Sequence, residues 1–73
     1  MDMYAILRLA LVEGQQLQQD GYRFIGCVAR ENKRFYAFHH PNSNRITITV
    51  TSNGYTVRKN GLVRKIYVAE PVL

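Results

Sequence analysis

Two Asn-Gly dipeptides, Asn53-Gly54 and Asn60-Gly61, lie a short distance apart in the second half of the chain. Asn-Gly readily adopts the left-handed backbone conformations that a two-residue hairpin turn requires, so each dipeptide predicts a tight β-hairpin. The residues around both dipeptides alternate between apolar and polar, as they do in strands with one buried face. Two successive hairpins therefore predict an antiparallel meander for this part of the chain.

Two further turns extend the predicted meander toward the N-terminus. One is centred on Glu31-Asn32 and the other is the loop around residues 41-44, where turn-forming residues interrupt apolar runs. The chain is thereby divided into strands at about residues 22-29, 34-40, 45-51, 55-59 and 62-69. A strongly twisted meander of this size could also curl toward a small barrel.

The turns also predict which side chains share a face of the sheet. The first Asn-Gly turn pairs Val50 with Val57, and the loop before it pairs Phe35 with Val50. Because residues directly opposite each other lie on the same face, this register gathers one apolar face from all strands. That face is the predicted core: Tyr22, Phe24, Val28, Phe35, Ala37, Ile46, Ile48, Val50, Tyr55, Val57, Leu62, Ile66 and Val68.

The chain before the strands predicts one helix, at about residues 3-19. Asp2 is a favourable N-cap and Asp20-Gly21 supplies a C-terminal stop. The first half of this helix is apolar around almost its whole circumference, whereas a helix on the surface of a globule normally has a polar stripe. We therefore expect it to pack on the sheet with one side and on something else with another, most simply a second copy of the chain.

Together these elements predict an α+β protein, one N-terminal helix packed on a five-stranded antiparallel meander sheet. At 73 residues the chain is expected to be a single domain, residues 1-73. The apolar N-terminal run is too short for a membrane-spanning helix, and no signal-peptide pattern accompanies it. With Cys27 as its lone cysteine, the chain forms no internal disulfide, which favours a reducing compartment and a cytoplasmic location.

Positive charge is concentrated in the strand region. Residues 1–20 carry a formal net charge of −2, residues 21–69 carry +8, and the whole chain carries +5. A concentrated positive segment favours an anionic partner such as nucleic acid or an acidic protein.

The predicted face opposite the core combines these cations with aromatic rings. Small domains often bind single-stranded nucleic acid on such an open sheet face, because bases stack on the rings while cations hold the phosphates. The predicted binding residues are Arg23, Arg34, Tyr36, Phe38, His40, Arg45, Arg58, Lys65 and Tyr67. The alternative is a protein-interaction module, an inhibitor or regulator, that uses the same face or the apolar helix as its interface or as a dimer contact.

No pattern of catalytic or metal-binding residues is present. His39 and His40 are adjacent on a strand and point to opposite faces, so they cannot hold one metal together. His39 is expected at the edge of the core, and His40 at a more exposed strand end. The acids are scattered, and Cys27 is expected to act as a small apolar residue within its strand. The sequence thus predicts a binding protein without a cofactor, a metal or a catalytic site, and not an enzyme.

One part of the chain combines Gly21, Phe38, the His40-Pro41 pair and the strand from Ile46 to Val50. In these residues it resembles the HicA toxins, a family with a small α-β-β-β-α fold related to double-stranded RNA-binding domains. The catalytic histidine of that family falls here on or next to Phe35, and two Asn-Gly hairpins replace its closing helix. Membership and ribonuclease activity are therefore not predicted.

Overall fold

A computed structural model describes residues 2–69 of the chain. Helix α1 comprises Met3–Gln19 and precedes five strands: β1 Arg23–Ala29, β2 Arg34–His39, β3 Arg45–Thr51, β4 Gly54–Lys59 and β5 Leu62–Val68. The strands follow each other in chain order in a single sheet, and every neighbouring pair is antiparallel. The predicted α+β meander is confirmed, and the sheet stays open and does not close into a barrel.

Both ends of α1 form where the sequence predicts them. The Asp2 side chain accepts a hydrogen bond of 2.9 Å from the Ala5 backbone N–H, which satisfies one of the free donors of the first turn. At the other end Gly21 has a φ of +93°, the left-handed conformation that commonly ends a helix. Gly14 does not interrupt the helix.

The core lies between α1 and one face of the sheet. Ile6 and Ala10 of the helix are buried against the apolar residues of β3 and β4, and the sheet's buried members are Phe38, Ile46, Ile48, Val50, Tyr55 and Val57. The predicted burial of the β3 and β4 residues is confirmed. The helix lies close to the sheet at Gly14, where an added Cβ would lie 3.2 Å from Phe38 Cζ.

The predicted register of β2 against β3 is wrong by one residue. Phe38 pairs with Ile46 and Tyr36 with Ile48, whereas the sequence predicted Ala37 opposite Ile48. Successive side chains of a strand alternate between faces, so this shift turns the whole of β2 over. Phe38 thus becomes part of the core, and the side chains of Phe35 and Ala37 lie on the opposite face. The observed register buries larger side chains on β2 than the predicted one would have done.

Two β-bulges reverse the faces of the outer strands part of the way along. In β1 the extra residue is Ile25, and in β5 it is Arg64, since Arg58 pairs with Val63 but Val57 pairs with Lys65. Beyond Arg64 the side chain of Ile66 therefore points away from the helix. The predicted core positions of Val28, Leu62, Ile66 and Val68 are wrong, with exposures of 50%, 71%, 61% and 68%.

The two Asn-Gly dipeptides behave differently. Asn60 and Gly61 form the two-residue turn before β5, with φ values of +51° and +86°. In the earlier hairpin the turn residues are Ser52 and Asn53, because Thr51 pairs with Gly54. The pairing of β3 with β4 is consequently displaced by two residues from the predicted one, and an even displacement leaves the faces unchanged.

Within residues 2–69, no helix has the length and apolar character that crossing a membrane would require.

Candidate functional site

The sheet has one face that α1 does not cover, which we call the open face. Three arginines belong to it: Arg23 on β1, Arg45 on β3 and Arg58 on β4. The strands themselves contain no Asp or Glu. The described acids lie elsewhere: Asp2 and Asp20 cap the helix, Glu13 is on the helix, and Glu31 is in the turn after β1. The strand residues of the open face therefore present positive charge with no negative charge among them.

The predicted binding residues do not share one face. Arg23, Arg45 and Arg58 lie on the open face as predicted from the sequence. Five others lie on the helix side of the sheet, which contradicts their predicted placement: Arg34, Tyr36, Phe38, Lys65 and Tyr67. The register shift in β2 moves the first three of these, and the bulge at Arg64 moves the other two.

Four of these misplaced residues contribute to packing on the helix side. Phe38 is only 5% exposed. The Tyr67 ring stacks on Tyr55 with centroids 5.4 Å apart and an interplanar angle of 21°. The Arg34 guanidinium lies 5.9 Å from the centre of the Tyr4 ring, and the Tyr36 side chain packs against the core. Phe38 has no surface to offer a stacked base.

The fifth residue, Lys65, joins a hydrogen-bonded cluster around Glu13. Lys65 Nζ donates to Glu13 Oε1, and the Tyr55 hydroxyl donates to the same oxygen at 2.9 Å. The hydrogen bond from Lys65 lowers the pKa of Glu13, while burial and the neighbouring carboxylate raise the pKa of Tyr55. Because Glu13 is on α1 and its partners are on β4 and β5, the cluster fastens the helix to the sheet.

Both histidines are found in environments other than those predicted. His40 is half-buried, and its ring packs edge-on against Tyr22 with centroids 4.9 Å apart. The Asn42 backbone N–H donates to His40 Nδ1 at 3.1 Å, so this ring stabilises the loop between β2 and β3. His39 is exposed on the open face, and its cross-strand neighbours are Arg23 and Arg45.

A concavity of about 290 Å³ lies on the open face over β3, β4 and β5. Its lining includes Thr49, Thr51 and Thr56, together with Lys33, Arg58 and Ile66. The Arg58 guanidinium donates to the Thr49 hydroxyl at 3.3 Å, which holds this cation over the sheet. Beside the concavity lies Phe35, a half-buried ring whose cross-strand neighbours are Val28 and Thr49. Phe35, His39 and Lys33 were not predicted as binding residues, since their placement depends on the β2 register.

A second exposed feature is an apolar groove on the helix side, about 270 Å³ in volume. It forms because α1 lies over β3 and β4, so the inner face of β1 and β2 is partly uncovered. Its lining residues are Leu11, Gly14, Gln15, Gln18, Phe24, Tyr36 and Phe38. Leu11 is 52% exposed and Phe24 is 45% exposed.

Residues 2–69 contain no group of three or more His, Cys, Asp or Glu side chains that could hold a metal ion. Cys27 is exposed on the edge strand β1, where it pairs with Tyr36 and lies on the helix side of the sheet. The described geometry therefore offers two surfaces, the basic open face and the apolar groove. Searches against protein-family models, curated proteins and solved structures found no match to this chain.

Proposed function

We propose that this protein binds single-stranded nucleic acid on the open face of its sheet. The observation that carries the proposal is the combination of three arginines and one accessible aromatic ring, Phe35, on a surface whose strands contain no carboxylate. A protein partner with an acidic surface would be attracted by the same charge, but it would not require a partly exposed aromatic ring beside a concavity.

Each component of the open face has a counterpart in a nucleic-acid strand. Arginine presents a planar set of donors that matches the oxygens of a phosphate. A base stacked on an aromatic ring contributes about 1–3 kcal/mol, and this contribution depends little on the base identity. The threonine hydroxyls beside Phe35 can donate to phosphate, sugar or base acceptors. This arrangement favours binding without strong sequence preference.

The proposal describes a binding module and not an enzyme, with no cofactor. We place its activity in the cytoplasm, where nucleic acid is accessible and the exposed Cys27 thiol would stay reduced.

Fluorescence anisotropy with labelled single-stranded RNA and DNA tests the proposal. The variant Arg23→Gln/Arg45→Gln/Arg58→Gln should bind weakly, and the slope of log K against log salt should become less negative by about 2 units. The variant Phe35→Ala should weaken binding by about tenfold at every salt concentration, because stacking is not screened.

A charge-matched control separates the open face from net charge. The variant Arg8→Gln/Arg34→Gln/Lys59→Gln also removes three positive charges, but these residues lie on the helix or on the helix side of the sheet. It should retain most of the affinity. Equal losses in the two triple variants would refute the assignment to the open face, and absence of binding at low salt would refute the function.

The apolar groove supports a second candidate, association with a second copy of the chain. The helix presents Leu11 next to the recess above Gly14, so each of two copies related by a two-fold axis can insert Leu11 into the recess of the other. The groove lining carries no formal charge, and two basic proteins can associate there with their open faces apart. Light scattering of the wild type and of Leu11→Gln tests this association. A wild-type dimer that the Leu11→Gln substitution dissociates supports association through the groove. A wild-type protein that is monomeric at micromolar concentration excludes it.

A further inference from the structure

Three nitrogen-bearing side chains form a row across one end of the open face. Arg23 on β1 is opposite His39 on β2, and His39 is opposite Arg45 on β3. All three are exposed. Because neighbouring strands are about 4.8 Å apart, one anion can contact side chains from more than one strand of the row.

No carboxylate of residues 2–69 neutralises the two arginines of the row. Arg23 and Arg45 are not directly opposite each other, because His39 on β2 lies between them. Among residues 2–69 the single ion pair is that of Lys65 with Glu13, so neither Arg23 nor Arg45 is paired with a carboxylate. A bound anion would supply the negative charge that these two arginines lack.

The backbone around the row is held by hydrogen bonds from an adjacent turn. Two hydrogen bonds join Asn60 to the backbone of Arg45. The Arg45 N–H donates to Asn60 Oδ1 at 2.9 Å, and the Asn60 N–H donates to the Arg45 carbonyl at 2.8 Å. Asn60 Nδ2 also donates to Asn44 Oδ1 at 3.1 Å. The backbone of Arg45, the first residue of β3, is therefore held before any ligand arrives, which lowers the entropic cost of binding.

A concavity of about 320 Å³ lies next to the row. It is lined by Gly21, Arg23, His39 and Pro41, which come from the turn after α1 and from β1, β2 and the loop that follows β2. These turns bound the open face at this end. A nucleic-acid strand lying on the face would meet the concavity at its terminus.

We propose that the row of Arg23, His39 and Arg45, with the concavity beside it, forms a corner site that binds a terminal phosphate of the nucleic-acid strand. This proposal rests on the function proposed above. A phosphomonoester carries a charge of about −1.5 to −2 near neutral pH, because its second pKa is about 6, whereas a backbone diester carries one negative charge. The doubly charged group is the better match for two arginines and a histidine. Phe35 and Arg58 hold the adjoining nucleotides farther along the same face.

Four forms of one oligonucleotide test the inference: with a 5′-phosphate, with a 3′-phosphate, with both, and with neither. The wild-type protein should bind one of the singly phosphorylated forms about tenfold more tightly than the form without terminal phosphate. Arg23→Gln/Arg45→Gln should lose this preference, while Arg58→Gln should bind all forms more weakly and keep it. Equal affinity of the wild type for all four forms overturns the inference and leaves the proposed function intact.

A second readout does not depend on nucleic acid. Inorganic phosphate should raise the thermal midpoint of the wild type and of Arg58→Gln, but not that of Arg23→Gln/Arg45→Gln. If no oligonucleotide binds, the proposed function fails, and an identical phosphate response in all three proteins then overturns the corner site as well.

Discussion

The two phenylalanines of β2 offer a direct test of the observed register. Phe38 is 5% exposed beneath α1, and its ring centre lies 5.5 Å from that of Phe24. Phe35 is three residues earlier on the same strand but faces away from the helix, and it is half-buried. The two substitutions to alanine remove identical groups from the same strand, so their difference reports which face is buried.

The expected magnitudes differ by a wide margin. Truncating a buried phenylalanine to alanine costs about 3–5 kcal/mol, from lost transfer free energy and from the cavity that remains. Phe35→Ala removes cross-strand contacts on a partly exposed face and should cost about 1 kcal/mol. A chain of 73 residues has a total stability of about 4–11 kcal/mol. Phe38→Ala should therefore remove much of the stability or unfold the protein, while Phe35→Ala should leave it folded.

Urea denaturation followed by circular dichroism measures both free energies of unfolding. If Phe38→Ala is too unstable to measure, Phe38→Leu keeps the site apolar and should cost about 1–1.5 kcal/mol, which lowers the thermal midpoint by about 4–12 °C. The opposite ranking, with Phe35→Ala more destabilising than Phe38→Ala, would refute the register. It would restore the pairing that the sequence alone predicted.

Two further predictions concern the attachment of the helix and the hairpin between β3 and β4. The lowered pKa of Glu13 means that its carboxylate stabilises the fold above about pH 4.3 and that this contribution is lost as the pH falls further. Glu13→Gln should therefore reduce the loss of stability between neutral and acid pH, measured by urea denaturation. Glu31→Gln, the control, should not. The raised pKa of Tyr55 has the reverse sign, so its contribution is present below about pH 10 and is lost above it. Gly54 has a φ of +149°, and an added Cβ would overlap the Tyr67 carbonyl oxygen, so Gly54→Ala should cost about 2 kcal/mol or more in urea denaturation. Gly61→Ala, with a φ of +86° and open space around it, should cost about 1–2 kcal/mol, and an equal or larger loss there would contradict the overlap argument.

The sequence predicted the kind of candidate site, a basic sheet face with aromatic rings, but only some of the residues that form it. Arg23, Arg45 and Arg58 were placed on the open face correctly, because β3 and β4 kept the predicted faces and Arg23 precedes the bulge in β1. The aromatic members were misplaced. Phe35 takes the position that was assigned to Tyr36 and Phe38, and the alternation of β2 is compatible with either side, since apolar residues occur on both.

Local signals in the sequence determined the elements of this protein and their order. Asp2 and Asp20-Gly21 delimit the helix through groups that only nearby backbone atoms need to satisfy. The Asn60-Gly61 turn likewise forms from its own conformational preferences. These contacts span a few residues, so the sequence by itself is sufficient to predict them.

Only the tertiary structure decided which side of β1, β2 and β5 faces the helix side of the sheet. The ring of Phe38 fits beneath Gly14, a residue far away in the chain, and this contact selects the register of β2. The bulges at Ile25 and Arg64 allow Phe24 and Tyr67 to face the helix side, although no turn residue marks either position. A one-residue change of register alters no local preference but exchanges the buried and exposed sets of a strand. The composition of the open face is therefore a consequence of how α1 packs on the sheet.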